Sequence, residues 1–274
     1  MRLLIFGLGY SAGRIAAQAA RRGAVIDATT RDGREGTLTF DNQRAVRGAL
    51  GAATHVLSSV PPDPDGDPVL NCYGDVLGTK WLGYLSSTGV YGDTGGAWVD
   101  ESAAIGGRRP TRAAADVAWL ERGARVFRLP GIYGPGRSAL DRVAAGAAHR
   151  VGGEGVFSRL HVNDLAAGVV AGFDAPPGAY NLADDHPAPH DAVIDFAAAL
   201  LGVVPPPVVG LDALTPAARG FHAENRRVAN AKAKRVLGWT PRYPDYRAGL
   251  RAVSAITSPT AASAAPPTAS TPQR

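Results

Sequence analysis

An α/β fold, with helices on both faces of a mostly parallel sheet, is what this sequence predicts, and three observations predict it. The chain opens on an apolar run at residues 3–6, a glycine turn Gly7-Leu8-Gly9-Tyr10-Ser11-Ala12-Gly13, and helix-forming residues from Arg14 to Arg22. Short apolar runs then alternate with helical stretches, which is the pattern of βαβ units. Finally, 274 residues with 45% hydrophobic and 19% charged content can bury a large core.

The elements follow in order. Apolar, β-branched runs place strands at 2–6, 24–29, 36–40, 54–60, 81–86 and 124–129, with helices at 12–22, 43–50, 68–77 and 112–122. Each crossover should be right-handed. After Arg128 the pattern changes, because Pro130, Gly131, Gly134, Pro135 and Gly136 exclude a regular element. A helix at 138–149, a short strand at 157–160 and a helix ending near 173, capped by Asn163 or Asp164, come next. A strand at 179–182 and helices at 190–201, 230–237 and 244–255 complete the folded part. From 257 to 274 the chain is Ser, Thr, Ala and Pro with almost nothing to bury, so a disordered tail is expected.

Composition narrows the function classes. The formal charge of +5 and pI near 9.6 favour anionic ligands, yet the basic residues are spread along the chain. Their densest cluster, Arg226, Arg227, Lys232, Lys234 and Arg235, has no aromatic interleaving and reads as a solvated helix face, so no nucleic-acid partner is expected. No run of apolar residues is long enough for a membrane span and the sequence goes straight into a strand, so neither a span nor a cleaved signal is expected. A single cysteine, Cys72, fits a reducing compartment, and the expected location is cytoplasmic.

The N-terminal turn carries the first chemical signal. A glycine turn between a strand and a helix start holds a dinucleotide pyrophosphate on backbone N–H groups. Gly7 allows the sharp turn, Gly9 lets the phosphate approach, and Ala12 or Gly13 allows close helix–strand packing; Tyr10 and Ser11 complete the run. At the end of the second strand, where NAD sites place an acid, the sequence reads Ala28-Thr29-Thr30-Arg31. A hydroxyl at Thr30 and the guanidinium of Arg31 suit a 2′-phosphate, so NADP is expected, with NAD as the alternative.

Further runs follow in order: SSTGVYGD from Ser86 to Asp93, RLPGIYGPGR from Arg128 to Arg137, RLHVNDLA from Arg159 to Ala166, YNLADD from Tyr180 to Asp185 and VLGWTP from Val236 to Pro241. With these, the chain over about residues 1–255 resembles an extended or atypical short-chain dehydrogenase/reductase, more narrowly the NAD-dependent epimerase/dehydratase family, whose best-known members act on nucleotide sugars. The resemblance implies a Rossmann-like doubly wound parallel sheet with a smaller C-terminal substrate lobe. Residues 1–130, joined by 156–183, would bind the dinucleotide, and 131–155 with 184–256 would form the lobe, a homodimer being common in this fold. It also implies that Gly7, Gly9 and Gly13 meet the pyrophosphate, Arg31 the adenosine ribose and Asp41 the adenine. Ser58, Ser59, Val60 and Pro61 would line the cofactor, and Pro130 and Gly131 would lie near the nicotinamide. Ser87 matches the catalytic serine or threonine, with Thr88 beside it.

The departure from the family is chemical. Its proton relay is a tyrosine with a lysine four residues later, expected about 20–30 residues after the serine. Here no tyrosine occurs between Tyr91 and Tyr133, and no lysine between Lys80 and Lys232. The helix expected to carry them reads Pro110-Thr111-Arg112-Ala113-Ala114-Ala115-Asp116-Val117. Tyr91 or Tyr133 is the substitute acid this sequence offers, or each packs the crevice wall; Arg112 offers an electrostatic stabiliser that cannot shuttle protons. Two functions follow: an oxidoreductase or epimerase-like enzyme with an altered acid, acting on a small polar substrate such as a sugar, or a non-catalytic NADP sensor. Asp184, Asp185, His186, His190 and Asp191 contain metal-ligand types, but Pro187 and Pro189 break the segment. A loop that caps the next helix is expected there rather than a metal.

Overall fold

The computed structural model describes residues 1–153 and 155–257, so all but the first residue of the tail expected to be disordered lies outside the described residues. Seven strands form the central sheet: β1 (Arg2–Phe6), β2 (Val25–Thr30), β3 (Leu38–Thr39), β4 (His55–Ser58), β5 (Trp81–Ser87), β6 (Arg125–Leu129) and β7 (Gly178–Asn181). Their order is β7-β6-β5-β4-β1-β2-β3 and every pairing is parallel. β1 lies between β2 and β4, so the connections diverge there and open a crevice at the carboxyl ends of the strands.

Alternation along β1 explains both layers. Leu3 and Ile5 join the core formed with α1 (Tyr10–Arg21) and α6 (Val162–Ala171). Leu4 and Phe6 face the opposite core, built with α2 (Gln43–Ala52), α3 (Pro68–Tyr73) and α4 (Pro110–Glu121). A strand buried on both faces reads as a continuous apolar run, which is how β1 was visible in the sequence. A third core joins Tyr133 to α5 (Ala139–Ala144), α7 (His190–Leu201) and α10 (Tyr246–Thr257). α8 (Pro216–His222) and α9 (Ala231–Leu237) complete the helices, and no helix of the described residues is long and apolar enough to cross a membrane.

Several expectations are corrected. The strand expected at 36–40 shrinks to Leu38–Thr39, because Thr30 Oγ1 bonds Thr37 Oγ1 at 2.7 Å and accepts from Gly33 N, folding 31–37 into a tight loop. The helix expected to reach 149 stops at Ala144, two residues before Gly146 with φ +66°. The strand expected at 157–160 is two, Val156–Phe157 and Arg159–His161, pairing with different partners on either side of Ser158. Neither Asn163 nor Asp164 caps α6. His161 does, its Nδ1 accepting from Asn163 N at 3.2 Å. Asp164 is buried and accepts instead from Arg242 N (3.0 Å) and Tyr243 N (2.9 Å), tying α6 to the C-terminal segment. Likewise no side chain caps α7; Asp191 accepts from Val151 N and Gly152 N.

His161 makes the fold sensitive to acid. Burial, with a smaller contribution from Arg14, lowers its pKa from 6.5 to about 4, and its Nε2 is buried without a partner. The unfolded chain therefore binds the extra proton first. Stability is fully present above pH 6.5 and is lost as pH falls from 6.5 towards 4, by up to about 3 kcal/mol. We expect His161→Asn, which retains an N-cap acceptor, to flatten the denaturation midpoint against pH across that window. An unchanged slope in urea melts would show that His161 does not titrate on unfolding.

Candidate active site

The crevice is built from the carboxyl ends of β1, β4, β5 and β6. A cavity of about 400 Å³ is lined by Gly9, Tyr10, Ser11 and Ala12 from the start of α1, and by Ser59 and Pro61 beyond β4. Leu85, Ser86 and Ser87 of β5, Leu129 and Pro130 at the end of β6, and Ile132, Arg137, Arg109 and Arg112 complete it. A second cavity of about 230 Å³ shares Ser87, Arg109, Arg112 and Pro130 with the first, and adds Thr88, Gly131, Arg226 and Glu224. A third, of about 580 Å³, reaches Tyr133, Arg142, Arg159, His190 and Tyr246.

The turn after β1 is shaped for an anion. Gly7 sits at φ +81°, and a Cβ there would come within 3.1 Å of Ser59 Oγ and Val60 Cγ2. Its N–H donates to Thr29 Oγ1 at 3.2 Å, and Ser59 Oγ–H donates back to Gly7 O at 2.5 Å. Gly9 is the N-cap of α1, and nothing lies within 4 Å of where its Cβ would be. No side chain caps α1 and its first turn holds no acid, so its first amides keep their partial positive charge for a ligand. These features fit a dinucleotide diphosphate. Ala12 is buried in the helix–sheet packing, whereas a Cβ on Gly13 would meet nothing within 4 Å. Gly13 is not required for that packing, and it does not line the cavity.

The other expected cofactor residues divide. Arg31 is exposed just past β2 and has no ion-pair partner among the described residues, while Thr30 spends its hydroxyl within the 30–37 loop. Asp41 is exposed in the turn after β3. Ser58 is fully buried in the sheet with its Oγ unpartnered, and Val60 packs over Gly7, so Ser59 and Pro61 are the members of that run facing the cavity.

Ser87 ends β5 with its Oγ accepting from Gly89 N at 3.1 Å. That leaves the hydroxyl proton free to donate into the cavity. Thr88 is buried beside it. Tyr91 is not brought to the crevice. Its hydroxyl donates to Asn181 Oδ1 (2.7 Å) and accepts from Arg128 Nη1 (3.0 Å) in the interior, where burial outweighs Arg128 and raises its pKa. Tyr133 lines the 580 Å³ cavity, but burial foremost, with Asp184 and Asp164 adding to it, raises its pKa strongly. Neither phenol is a ready acid beside Ser87.

The structure also reveals an ion pair that sequence reasoning missed. Arg128 Nη2 and Nε donate to the carboxylate of Asp116 at 2.8 and 3.1 Å, and Ser86 Oγ donates to it at 2.6 Å. Burial works against the Arg128 charge, yet hydrogen bonding and attraction from Asp116 prevail and raise its pKa. One charged residue on an alanine-rich helix and one in an apolar strand were the available signal. The basic C-terminal cluster is largely engaged rather than solvated. Lys234 pairs with Asp185 at 2.6 Å, Arg226 with Glu224 at 2.6 Å, Lys232 donates to Ala179 O, and Arg227 donates to Gly96 O.

Comparison with known proteins places this arrangement. No protein-family model matches the chain. A curated relative from Streptomyces sp., "3-diazoavenalumate denitrifying reductase", is 34% identical over 151 residues, which is 50% of this chain and 48% of that protein. The chain thus spans about half the length of that relative. Among solved structures, UDP-glucose 4-epimerase of Thermus thermophilus complexed with NAD aligns over 93% of this chain and 98% of its own, with TM-score 0.73 and 20% identity. Human epimerase family protein SDR39U1 (isoform 2) with NADPH aligns over 93% and 99%, with TM-score 0.72 and 16% identity. The seven-stranded parallel sheet and its flanking helices have the same fold as these two solved structures. The chain belongs to the family of a conserved, functionally unknown protein from Silicibacter pomeroyi DSS. To that protein it is 40% identical over 93% of this chain and 98% of the other, with TM-score 0.83.

Proposed function

We propose that the chain is an NADPH-dependent reductase that delivers hydride to a small anionic substrate, with Ser87, Arg112 of α4 and Arg109 at its N-cap standing where the tyrosine–lysine relay is expected. One observation carries this reading: Arg112, together with Arg109, lines both cavities that meet at Ser87, and neither side chain has a protein ion-pair partner among the described residues. The relative from Streptomyces, named as a reductase, supports hydride delivery over epimerisation. We assign residues 1–130 with 156–183 to the cofactor and 131–155 with 184–256 to the substrate.

The roles follow from chemistry. The first amides of α1 hold the diphosphate, and Arg31 holds the 2′-phosphate. A bound dihydronicotinamide supplies the hydride. Ser87 donates its hydroxyl proton as a hydrogen bond to the atom on which negative charge grows, and Arg112 stabilises that charge without giving up a proton. The proton that completes the reduction then comes from water rather than from a side chain.

Fluorescence titration with NADPH and NADH tests the cofactor assignment. Arg31→Ala should weaken NADPH binding by about 1–3 kcal/mol, the range for a charge-assisted hydrogen bond, and leave NADH unaffected. Equal losses for both would remove the NADP preference. NADPH that binds but is never oxidised, over a panel of carboxylate- and phosphate-bearing carbonyl compounds and nucleotide sugars, would instead favour a cofactor-sensing regulator. The absent relay is what motivates that second reading.

A further inference from the structure

Three histidines far apart in sequence converge beyond the catalytic crevice. His149 follows α5, His190 opens α7 and His222 closes α8. One ring nitrogen from each lies within 4.8 Å of the others. Ring centroids are 5.0 Å apart for His190 and His222, 5.9 Å for His149 and His190, and 6.4 Å for His149 and His222. We propose that His149, His190 and His222 form a binding site for one divalent transition cation of the zinc class.

Geometry and donor chemistry support the site. Zinc–nitrogen bonds of about 2.0–2.1 Å in a tetrahedron put ligand nitrogens about 3.3 Å apart, so small rotations of the two half-buried rings, His149 and His222, close the triad. Imidazole suits zinc, copper and nickel, and three histidines with an open fourth position form a recognised zinc ligand set. His190 Nε2 lies 3.2 Å from His149 O. Donating Nε2–H to that carbonyl leaves Nδ1 with the lone pair, the outer-shell bond that orients metal-binding histidines. Arg142 and Arg159 lie near enough to oppose a cation, and the Asp191 carboxylate, which acts on His222, offsets part of that charge. His190 lines the 580 Å³ cavity, so the ion would fasten α8 to its wall.

The test is titration of tag-free, chelator-treated full chain with Zn²⁺ by calorimetry, and with Co²⁺ by visible absorption. One equivalent should bind, with the absorption of a nitrogen-ligated tetrahedral Co²⁺ centre. His149→Ala and His222→Ala, changes at half-buried rings, should each weaken Zn²⁺ binding about 100-fold or more, whereas His186→Ala, at an exposed histidine, should leave it unchanged. Circular dichroism confirms that each variant is folded; if one is not, His149→Gln and His222→Gln replace it in the same titration. No stoichiometric binding, binding that survives both substitutions, or an equal loss in His186→Ala would overturn the site.

Discussion

Asp116→Ala is expected to destabilise the protein by about 3–5 kcal/mol, read as a lower urea midpoint with unchanged slope. Asp116 is fully buried and its pair with Arg128 leaves that side chain only 3% exposed. Removing the carboxylate strands a guanidinium that must stay charged in the interior, and it takes away the acceptor of Ser86 Oγ. The loss is a desolvation penalty rather than the worth of a salt bridge. Replacing both partners with apolar residues, Asp116→Leu with Arg128→Met, should therefore cost much less than the single change. A single variant within about 1 kcal/mol of wild type would mean that water reaches Arg128. The pair matters to the site because it joins α4 to β5 and β6, the elements that carry Arg112, Ser87 and Leu129.

Arg112→Ala should lower the rate of NADPH-dependent reduction about 10²–10³-fold, equivalent to roughly 3–4 kcal/mol of transition-state stabilisation. If Arg112 acts on developing charge, kcat falls more than KM rises, whereas Arg109→Ala, at an exposed position, should mainly raise KM. Arg112→Lys keeps the charge but not the forked donor geometry and should recover only part of the rate. Because Arg112 also lines the cavity proposed for the cofactor, NADPH affinity is measured separately, so that a binding defect is not mistaken for a chemical one. Activity within about threefold of wild type would remove Arg112 from the mechanism.

Legibility in the sequence followed the range of the physics involved. Elements in residues 1–30 were read to within two residues, since β1 is a continuous apolar run and α1 starts at a glycine turn, both local features. Gly9 and Ser87 line one cavity because each lies at the carboxyl end of a strand, and parallel strands deliver such residues to one edge. The fate of Tyr91 was not readable. It sits four residues after Ser87, yet a single 3-10 turn from Thr88 to Tyr91 carries its hydroxyl into the interior towards Asn181, 90 residues later. Asp164 has cap chemistry but lies three positions past the N-cap His161, and only the docking of 242–243 shows why it is buried. α8 escaped notice because a seven-residue helix has too few turns to display a periodic apolar face.

The order of strand, glycine turn and helix, and the lack of any tyrosine or lysine where the relay is expected, belong to the amino-acid sequence alone. Both depend on residues near one another in the chain, where backbone propensity and side-chain identity decide the outcome. The tertiary structure decided which polar groups face the crevice and which are buried, pairing Asp116 with Arg128 and gathering His149, His190 and His222. Those outcomes depend on contacts between segments distant in sequence, where burial sets the cost of each charge and packing leaves only particular partners within reach.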